Sequence, residues 1–520
     1  MLYNKCIRSG YKHHKDKIFQ FCLCFLQIAC FTRIPYLCKV QKLEVGRRRK
    51  IYPVYENIEI LDIGAEGKAI ARYNEVVVFV KNAIPGDVVD LQVTKKRKNY
   101  QEAKAIRFHS LSKKRTKAFC KHFGICGGCK WQDLNYNDQL FFKEKQVVDQ
   151  LQRIGGIKPE ILSVILPIIP SENTQFYRNK LEFTFSNKRW LTDEELKQEK
   201  TFEDRDALGF HIPGMFDKML DIHECFLQPD PSNEIRLEVK KYALKNELEF
   251  FDVRCQTGFL RNLIIRTTLT GEVMVILSFF SDDPEKRIGL LEHLLNRFKE
   301  ISSLMYVINP KPNDTITDLP VICYAGKEHI LEQMGNLKFK IGPKSFFQTN
   351  SLQAITLYNI VVDFASLDPG DIVYDLYTGT GTIANYIAGK CKKVIGIEQV
   401  PEAIQDAQEN ANINGITNTE FFAGDMKDLL TPAFAEIHGK PDVVILDPPR
   451  AGIHTNVADA LLAMNPGRIV YVSCNPGTQA RDIIPLLDNY TIEKIQPVDM
   501  FPHTYHVENV ISLKNRMYDR

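Results

Sequence analysis

The sequence predicts an α/β protein in three parts: a small β-barrel near the N-terminus, an α+β middle, and a doubly wound parallel sheet in the C-terminal third. Three observations predict it. Between Ile58 and His109, short alternating runs are separated only by glycine and proline turns. After residue 340, five short apolar runs alternate with helical stretches, the pattern of a parallel sheet. And 520 residues are too many for one core. The expected divisions are 1–50 as a leader, 51–112 as the barrel, 113–340 as the central domain and 341–520 as the parallel-sheet domain.

Composition narrows the class. Apolar content of 44% and charged content of 25% are ordinary for a globular chain, and a net charge of +3 singles out no partner. Thirteen cysteines, an odd number in a long chain, argue against a disulfide framework and for a reducing, cytoplasmic compartment. Ile18 to Phe31 is apolar and follows Lys and His residues, but it is too short for a membrane span and no small-residue cleavage site follows. Residues 1–50 therefore read as a dispensable leader or an early start, and no membrane partner is expected.

In the second part, Ile58 to Ile63 alternates, Gly64 and Gly67 turn, and Glu75 to Val80 is a strong strand. Pro85-Gly86-Asp87 turns again and Val88 to Val93 alternates. From Lys95 to Lys117 there are ten Lys/Arg against one acid, Glu102, with Tyr100 and Phe108 interleaved. Basic and aromatic residues on a small barrel point to nucleic acid. Through Gly64 to Gly67, Ala71-Arg72, Pro85 to Asp87 and this basic run, the unit resembles a TRAM domain, an RNA-binding module.

Cys120, Cys126 and Cys129 follow within ten residues, the last two separated by Gly127 and Gly128. Three thiols so close form a metal-ligand arrangement, and an all-thiol set favours an iron–sulfur cluster or zinc. Cys225 or Cys255 could complete it. Across the middle, Leu140 to Ile154 and Asp283 to Lys299 have helical periodicity, Tyr177 to Phe185 alternates, and Leu263 to Phe280 reads as a hairpin about Thr270-Gly271. Lys188 to Asp206 is a charged surface insertion. Asn350 or Ser351 caps a helix to Phe364.

The last part carries the chemistry. Its strands are expected at Ile372 to Leu376, Lys393 to Ile397, Thr419 to Phe422, Val443 to Leu446 and Arg468 to Val472, with a final apolar strand, Val507 to Leu513. Ligands of such sheets bind beyond the carboxyl ends of the strands. Asp375-Leu376-Tyr377-Thr378-Gly379-Thr380-Gly381 leaves the first strand, and its glycines let a ligand approach the backbone. Glu398 ends the second strand, where a carboxylate can hold ribose hydroxyls, and Asp425 follows the third, near an adenine. The loop looks like that of S-adenosylmethionine-dependent methyltransferases. Asp447-Pro448-Pro449-Arg450 ends the fourth strand with a carboxylate on a rigid loop, and Cys474 ends the fifth.

Carbon 5 of a pyrimidine is a poor nucleophile. A thiolate that adds at carbon 6 makes carbon 5 a carbanion able to take a methyl group, after which a base removes the carbon-5 proton and the thiolate leaves. Cys474 is the candidate nucleophile and Glu508, after His503 and His506, the candidate base.

Phe347-Gln348 with Asn350, the Asp375–Gly381 loop, Asp447–Arg450, Val472–Pro476 and His506–Glu508 together resemble the RNA (uracil-5-)-methyltransferases, and with the TRAM-like unit and the thiols the likeness is to the 23S ribosomal RNA enzymes of the RumA type. The resemblance spans about residues 55–520 and implies a Rossmann-like methyltransferase domain at the C-terminus. It implies that Gln348, Tyr377, Glu398 and Asp447 bind S-adenosylmethionine, that Cys474 is the nucleophile and Glu508 the proton acceptor, and that Cys120, Cys126, Cys129 and Cys225 hold a 4Fe-4S cluster. The expected partner is 23S ribosomal RNA, with transfer RNA as the alternative, and the expected state a monomer. A non-catalytic RNA-binding assembly factor is the reading from another class. It predicts damaged catalytic positions, whereas Cys474 and Glu508 are both present.

Overall fold

Apolar strands pair wherever their alternation or continuous burial allows, and three large sheets result. The computed structural model describes residues 52–198 and 205–518. The leader 1–50, with its five cysteines, and part of the charged insertion lie outside the described residues.

The first sheet has six strands, paired in the order Val54–Glu59, Val88–Lys96, Tyr100–Ser110, Val76–Lys81, Ala69–Tyr73, Asp62–Ile63. It wraps a single small core of Tyr55, Ile60, Val78, Val80, Val89 and Leu91 with four alanines. The basic stretch runs along two of its longest strands.

The second sheet has seven strands, with the expected hairpin Leu260–Thr267 and Val273–Phe279 at its centre. Both faces of that hairpin are buried. One packs beneath the helices Ser232–Lys245 and Pro284–Arg297. The other joins a core shared with the C-terminal sheet.

The third sheet explains the site. Its order is Thr419–Ala423, Lys393–Glu398, Ile372–Leu376, Val443–Leu446, Arg468–Ser473, Glu508–Asn515, Tyr490–Val498. The first five strands are parallel, as their continuous apolar runs require. Each Val, Ile or Leu fully buried there contributes about 1.5–3 kcal/mol. Strand order reverses between Ile372–Leu376 and Val443–Leu446, so a crevice opens at their carboxyl ends. The sheet is not wholly parallel. Glu508–Asn515 runs antiparallel to both neighbours, and its partner Tyr490–Val498 is a strand that Pro497 and four charged or polar residues, Thr491, Glu493, Lys494 and Gln496, hide from a reading of apolar runs.

A helix from Tyr136 to Arg153, capped by Asn135, packs on this third sheet and not on the second. Val147 and Leu151 on its buried face meet Tyr471, Ala480 and Ile483. Residues 165 and 169 bridge to Ile495 and Val498 and extend the sheet edge. The stretch 136–169 thus belongs with the C-terminal sheet, although the sequence places it in the middle region. Among the described residues, no helix is long and apolar enough to cross a membrane.

Candidate active site

The reversed strand brings the two candidate catalytic residues together. Ser473 pairs with Asn509 in the antiparallel register, and the register continued by one residue sets Cys474 opposite Glu508. Opposed residues on neighbouring strands share a face. Because Glu508 opens a strand that runs backwards, it lies at the carboxyl edge of the parallel strands, where the crevice is.

The turn after Cys474 is fixed by its sequence. Asn475 caps the helix Pro476–Ile483 by accepting from the Gly477 N–H at 3.1 Å. The Asn475 side-chain amide and the Thr478 hydroxyl both donate to the Arg450 carbonyl, at 3.1 and 3.2 Å. The Asp447–Arg450 loop is thereby tied to the thiol-bearing turn.

Burial dominates the electrostatics. It pushes the half-buried Cys474 thiol up to about 11; the neighbouring Glu508 carboxylate raises it further, and the Arg450 guanidinium beside it acts in the opposite direction. Glu508, 5% exposed, is pushed up to about 8 by burial and by Asp447, again opposed by Arg450. Burial also lifts Asp447 and Asp375 to about 7 each. Asp447 acts on Asp375, Glu508 and Cys474, and the Arg450 guanidinium opposes the carboxyls at Cys474 and Glu508. Arg450, which the sequence reading gave no role although it stands inside a quoted motif, lies beside both Cys474 and Glu508. Tyr358, wholly buried, has Asp447, Asp375 and Glu508 as charged neighbours. Its hydroxyl lies 3.2 Å from that of Thr382. Nothing in a helical apolar stripe distinguishes such a tyrosine from core.

The glycine loop divides its labour. At Gly381 an added Cβ would meet the Ala407 Cβ at 2.8 Å, so this glycine lets the helix Thr382–Ile387 approach Pro401–Ile413. At Gly379, with φ of +56°, a Cβ would meet nothing within 4 Å, so that side of the loop is open. Tyr377 is held at φ of +65°, a left-handed backbone that costs a non-glycine residue about 1–3 kcal/mol and gathers at ligand sites. Burial pushes its phenol up to about 12, and the charged neighbours Asp425, Asp482 and Glu398 act in the same direction. Glu398 accepts from the N–H groups of Gly379, Gln399 and Val400. Asp375 accepts from the Thr378 hydroxyl and the Ala384 N–H, and its other oxygen is buried without a partner. An open backbone, a strained tyrosine and an orphaned carboxylate oxygen fit a polar ligand laid across the loop. Asp425 caps the helix Met426–Leu429 and pairs with Lys427. Gln348 is half-buried, and its carbonyl accepts from the Asn179 amide. Asn350 caps the helix Ser351–Ala365 by accepting from Gln353.

The other thiols lie elsewhere. Cys120, Cys126, Cys129 and Cys225 line one cavity of about 380 Å³ with Gly127, Gly128 and Leu227. Cys255 is exposed and is not among the lining residues. Burial pushes Cys129 up to about 12 and Cys225 up to about 11, and the thiols act electrostatically on one another. Among the described residues, no three His, Cys, Asp or Glu side chains converge closely enough to hold one metal ion.

Residues 326–516 match the family described as tRNA (Uracil-5-)-methyltransferase, and residues 55–106 match the TRAM domain. An uncharacterized RNA methyltransferase of Bacteroides thetaiotaomicron is 56% identical over 87% of this chain and 100% of its own. One from Porphyromonas gingivalis is 55% identical over 88% of this chain and 99% of its own. Among solved structures, the Pyrococcus abyssi tRNA (uracil-54, C5)-methyltransferase in complex with S-adenosyl-L-homocysteine is similar with a TM-score of 0.68 and 28% identity, over 88% of this chain and 100% of that one.

Proposed function

The chain belongs to the S-adenosylmethionine-dependent RNA (uracil-5-)-methyltransferases, and from that premise we propose that it methylates carbon 5 of a uridine in 23S ribosomal RNA through a covalent Cys474–uracil adduct. The observation that carries the mechanism is the register that sets Cys474 against Glu508 at the open edge of the sheet.

The steps follow from these groups. Arg450 favours the Cys474 thiolate, which adds to carbon 6 of a uracil swung out of its RNA stack. The electron pair of the carbon 5–carbon 6 bond moves to carbon 5 and onto the adjacent carbonyl. Bound S-adenosylmethionine supplies an electrophilic methyl group on a sulfonium, and Gln348, Tyr377, Glu398 and Asp447 are the residues proposed to hold it. Once carbon 5 carries the methyl, the Glu508 carboxylate takes the carbon-5 proton. The released pair re-forms the double bond and expels Cys474. A carboxylate lifted towards neutrality is a stronger base than one in water.

Cys120, Cys126, Cys129 and Cys225 are proposed to hold a 4Fe-4S cluster, on the strength of the all-thiol donor set around one cavity. The TRAM domain and this thiol set support ribosomal RNA as the substrate. The likeness to a transfer RNA enzyme over nearly the whole chain favours a second reading, in which transfer RNA takes its place. Methyl transfer from labelled S-adenosylmethionine to unmodified 23S ribosomal RNA and to transfer RNA, run side by side with Cys474→Ala, tests both. Label in ribosomal RNA alone, as 5-methyluridine and lost in the variant, is expected. Label in transfer RNA alone keeps the mechanism and moves the substrate. Label in neither sinks the enzyme reading.

A further inference from the structure

The loop between the last two strands, Asp499 to Val507, has no regular structure, yet four consecutive carbonyls in it each accept from a different part of the molecule. The Met500 carbonyl accepts from the Asn350 side-chain amide at 3.0 Å. The Phe501 carbonyl accepts from the Lys143 ammonium at 3.0 Å. The Pro502 carbonyl accepts from the Tyr177 hydroxyl at 3.0 Å. The His503 carbonyl accepts from the Lys130 and Trp131 N–H groups at 2.8 and 3.1 Å, immediately after Cys129.

Further bonds lock the same loop. Lys143 and Asp499 form an ion pair at 2.6 Å in which both side chains are wholly buried. Tyr136 donates to Asp499 at 2.9 Å, and the His503 N–H donates to the Gln139 side-chain Oε1 at 2.9 Å. His503 is held at φ of +63°, so this stretch adopts a backbone it would not choose alone. A buried ion pair is weak evidence of stabilisation, since apolar residues of similar shape often do as well. It calls for another purpose, and the residue that leaves this loop is Glu508.

We propose that this four-point clamp on Met500–His503 positions Glu508 for removal of the carbon-5 proton, with Lys143 as its central positioning residue and the thiol loop as one of its four points. The proposal rests on the reading of Glu508 as the base. In the step concerned, the Glu508 oxygen gains the proton from carbon 5, the carbon–hydrogen pair becomes the carbon 5–carbon 6 double bond, and the Cys474 sulfur leaves with the pair that bound it. Cys474 and Arg450 sit on other strands and loops, so the clamp acts chiefly on the last step and reaches the first only through Glu508 itself.

The test uses the full chain with 23S ribosomal RNA and transfer RNA transcripts carrying tritium at carbon 5 of uridine. Three quantities are followed: formation of a denaturant-resistant protein–RNA adduct, methyl incorporation and tritium release. Lys143→Met and the milder Tyr177→Phe are compared with wild type, Lys143→Arg and Glu508→Gln. Displacing a base by about 1 Å costs up to about 100-fold. The expected result is that tritium release falls about 10- to 100-fold in Lys143→Met, and less in Tyr177→Phe, while adduct still forms and accumulates, with partial recovery in Lys143→Arg. If adduct formation and tritium release fall together, or neither changes, the clamp is only structural and the proposal is overturned. If Lys143→Met does not fold, Tyr177→Phe decides alone by the same criterion. If Glu508→Gln itself releases tritium at the wild-type rate, the base has been misassigned and the proposal falls with it; if Glu508→Gln blocks release but the clamp variants do not, only the clamp is overturned.

Discussion

Two sets of buried thiols can be compared within this chain. Cys474 and the four cysteines of the cavity are all pushed upward by burial. What faces them differs. Cys474 faces a guanidinium and a carboxyl, on a strand end open to a crevice. The other four line one cavity together, with Gln132, Glu224 and Leu227 among its walls, and Lys130 and Arg236 act on Cys126 and Cys225. Burial alone therefore does not make a thiol reactive or inert; its neighbours decide. A lone thiol with a cation and a carboxyl beside it at an open strand end is arranged to be used and released, while four thiols gathered round one cavity suit the shared ligand proposed for them.

The widest gap between the two sets should appear on deleting the nucleophile. Cys474→Ala is expected to lower methyl transfer by more than about 1,000-fold, as loss of a covalent nucleophile does elsewhere, while leaving iron content and thermal midpoint unchanged. Radiolabel incorporation and iron analysis on the same preparation check both halves. An active Cys474→Ala protein would erase the distinction drawn here.

Next in size is the response to pH. The Glu508 carboxyl, raised to about 8, must be ionised to act as a base. Tritium release should rise about tenfold per pH unit below that value and level above it. Adduct formation depends on a thiol raised to about 11 in the ligand-free protein and should keep rising where tritium release has levelled. Stability runs the other way. The carboxyls of Asp375, Asp447 and Glu508 are raised in the folded protein, to about 7, 7 and 8. Each contributes stability that is fully present below the unfolded value near 4 and is lost as pH rises through 7 to 8. The thermal midpoint of the ligand-free protein should fall from pH 6.5 to 8.5, and Asp375→Asn should flatten that fall.

How much of this was legible beforehand depended on whether a residue's role is local. Parallel strands announce themselves as apolar runs because both their faces are buried, and all five lie where the sequence places them, to within a residue. Cys474 was legible as a thiol at a strand end. Glu508 was legible as its partner base through shared chemistry, but the register that brings the two together was not, because it depends on Glu508–Asn515 running backwards beside Arg468–Ser473, a long-range fact. Tyr490–Val498 was missed because alternating charge and a proline mask it. Lys143 could have been found. With Gln139, Val147 and Leu151 it occupies one helical stripe at intervals of four, and a lysine and a glutamine on a stripe that is otherwise apolar conflict with their neighbours. Such a conflict often marks a functional site. Read from the residues alone, the fourth thiol stayed open between Cys225 and Cys255, because sequence distance says nothing about which returns to the cavity, and only the resemblance chose Cys225.

That choice gives the smallest effects and the finest test of the comparison. Cys129→Ala and Cys225→Ala should each lose iron and lower stability by about 3–5 kcal/mol, the scale of a lost metal site. Methyl transfer should fall only about tenfold, because the thiol loop supplies one of the four points that hold the Met500–His503 stretch. Cys255 is exposed and stands apart from the cavity, its N–H donating to Asp252 at 3.1 Å. Cys255→Ala should change stability by less than about 0.5 kcal/mol and leave iron and activity as they were. Iron per chain and thermal midpoints, measured on all three variants purified without oxygen, separate the cases. Iron kept by Cys225→Ala and lost by Cys255→Ala would move the ligand set off the cavity, and the contrast between a site of reaction and a site of ligation would no longer rest on these four thiols.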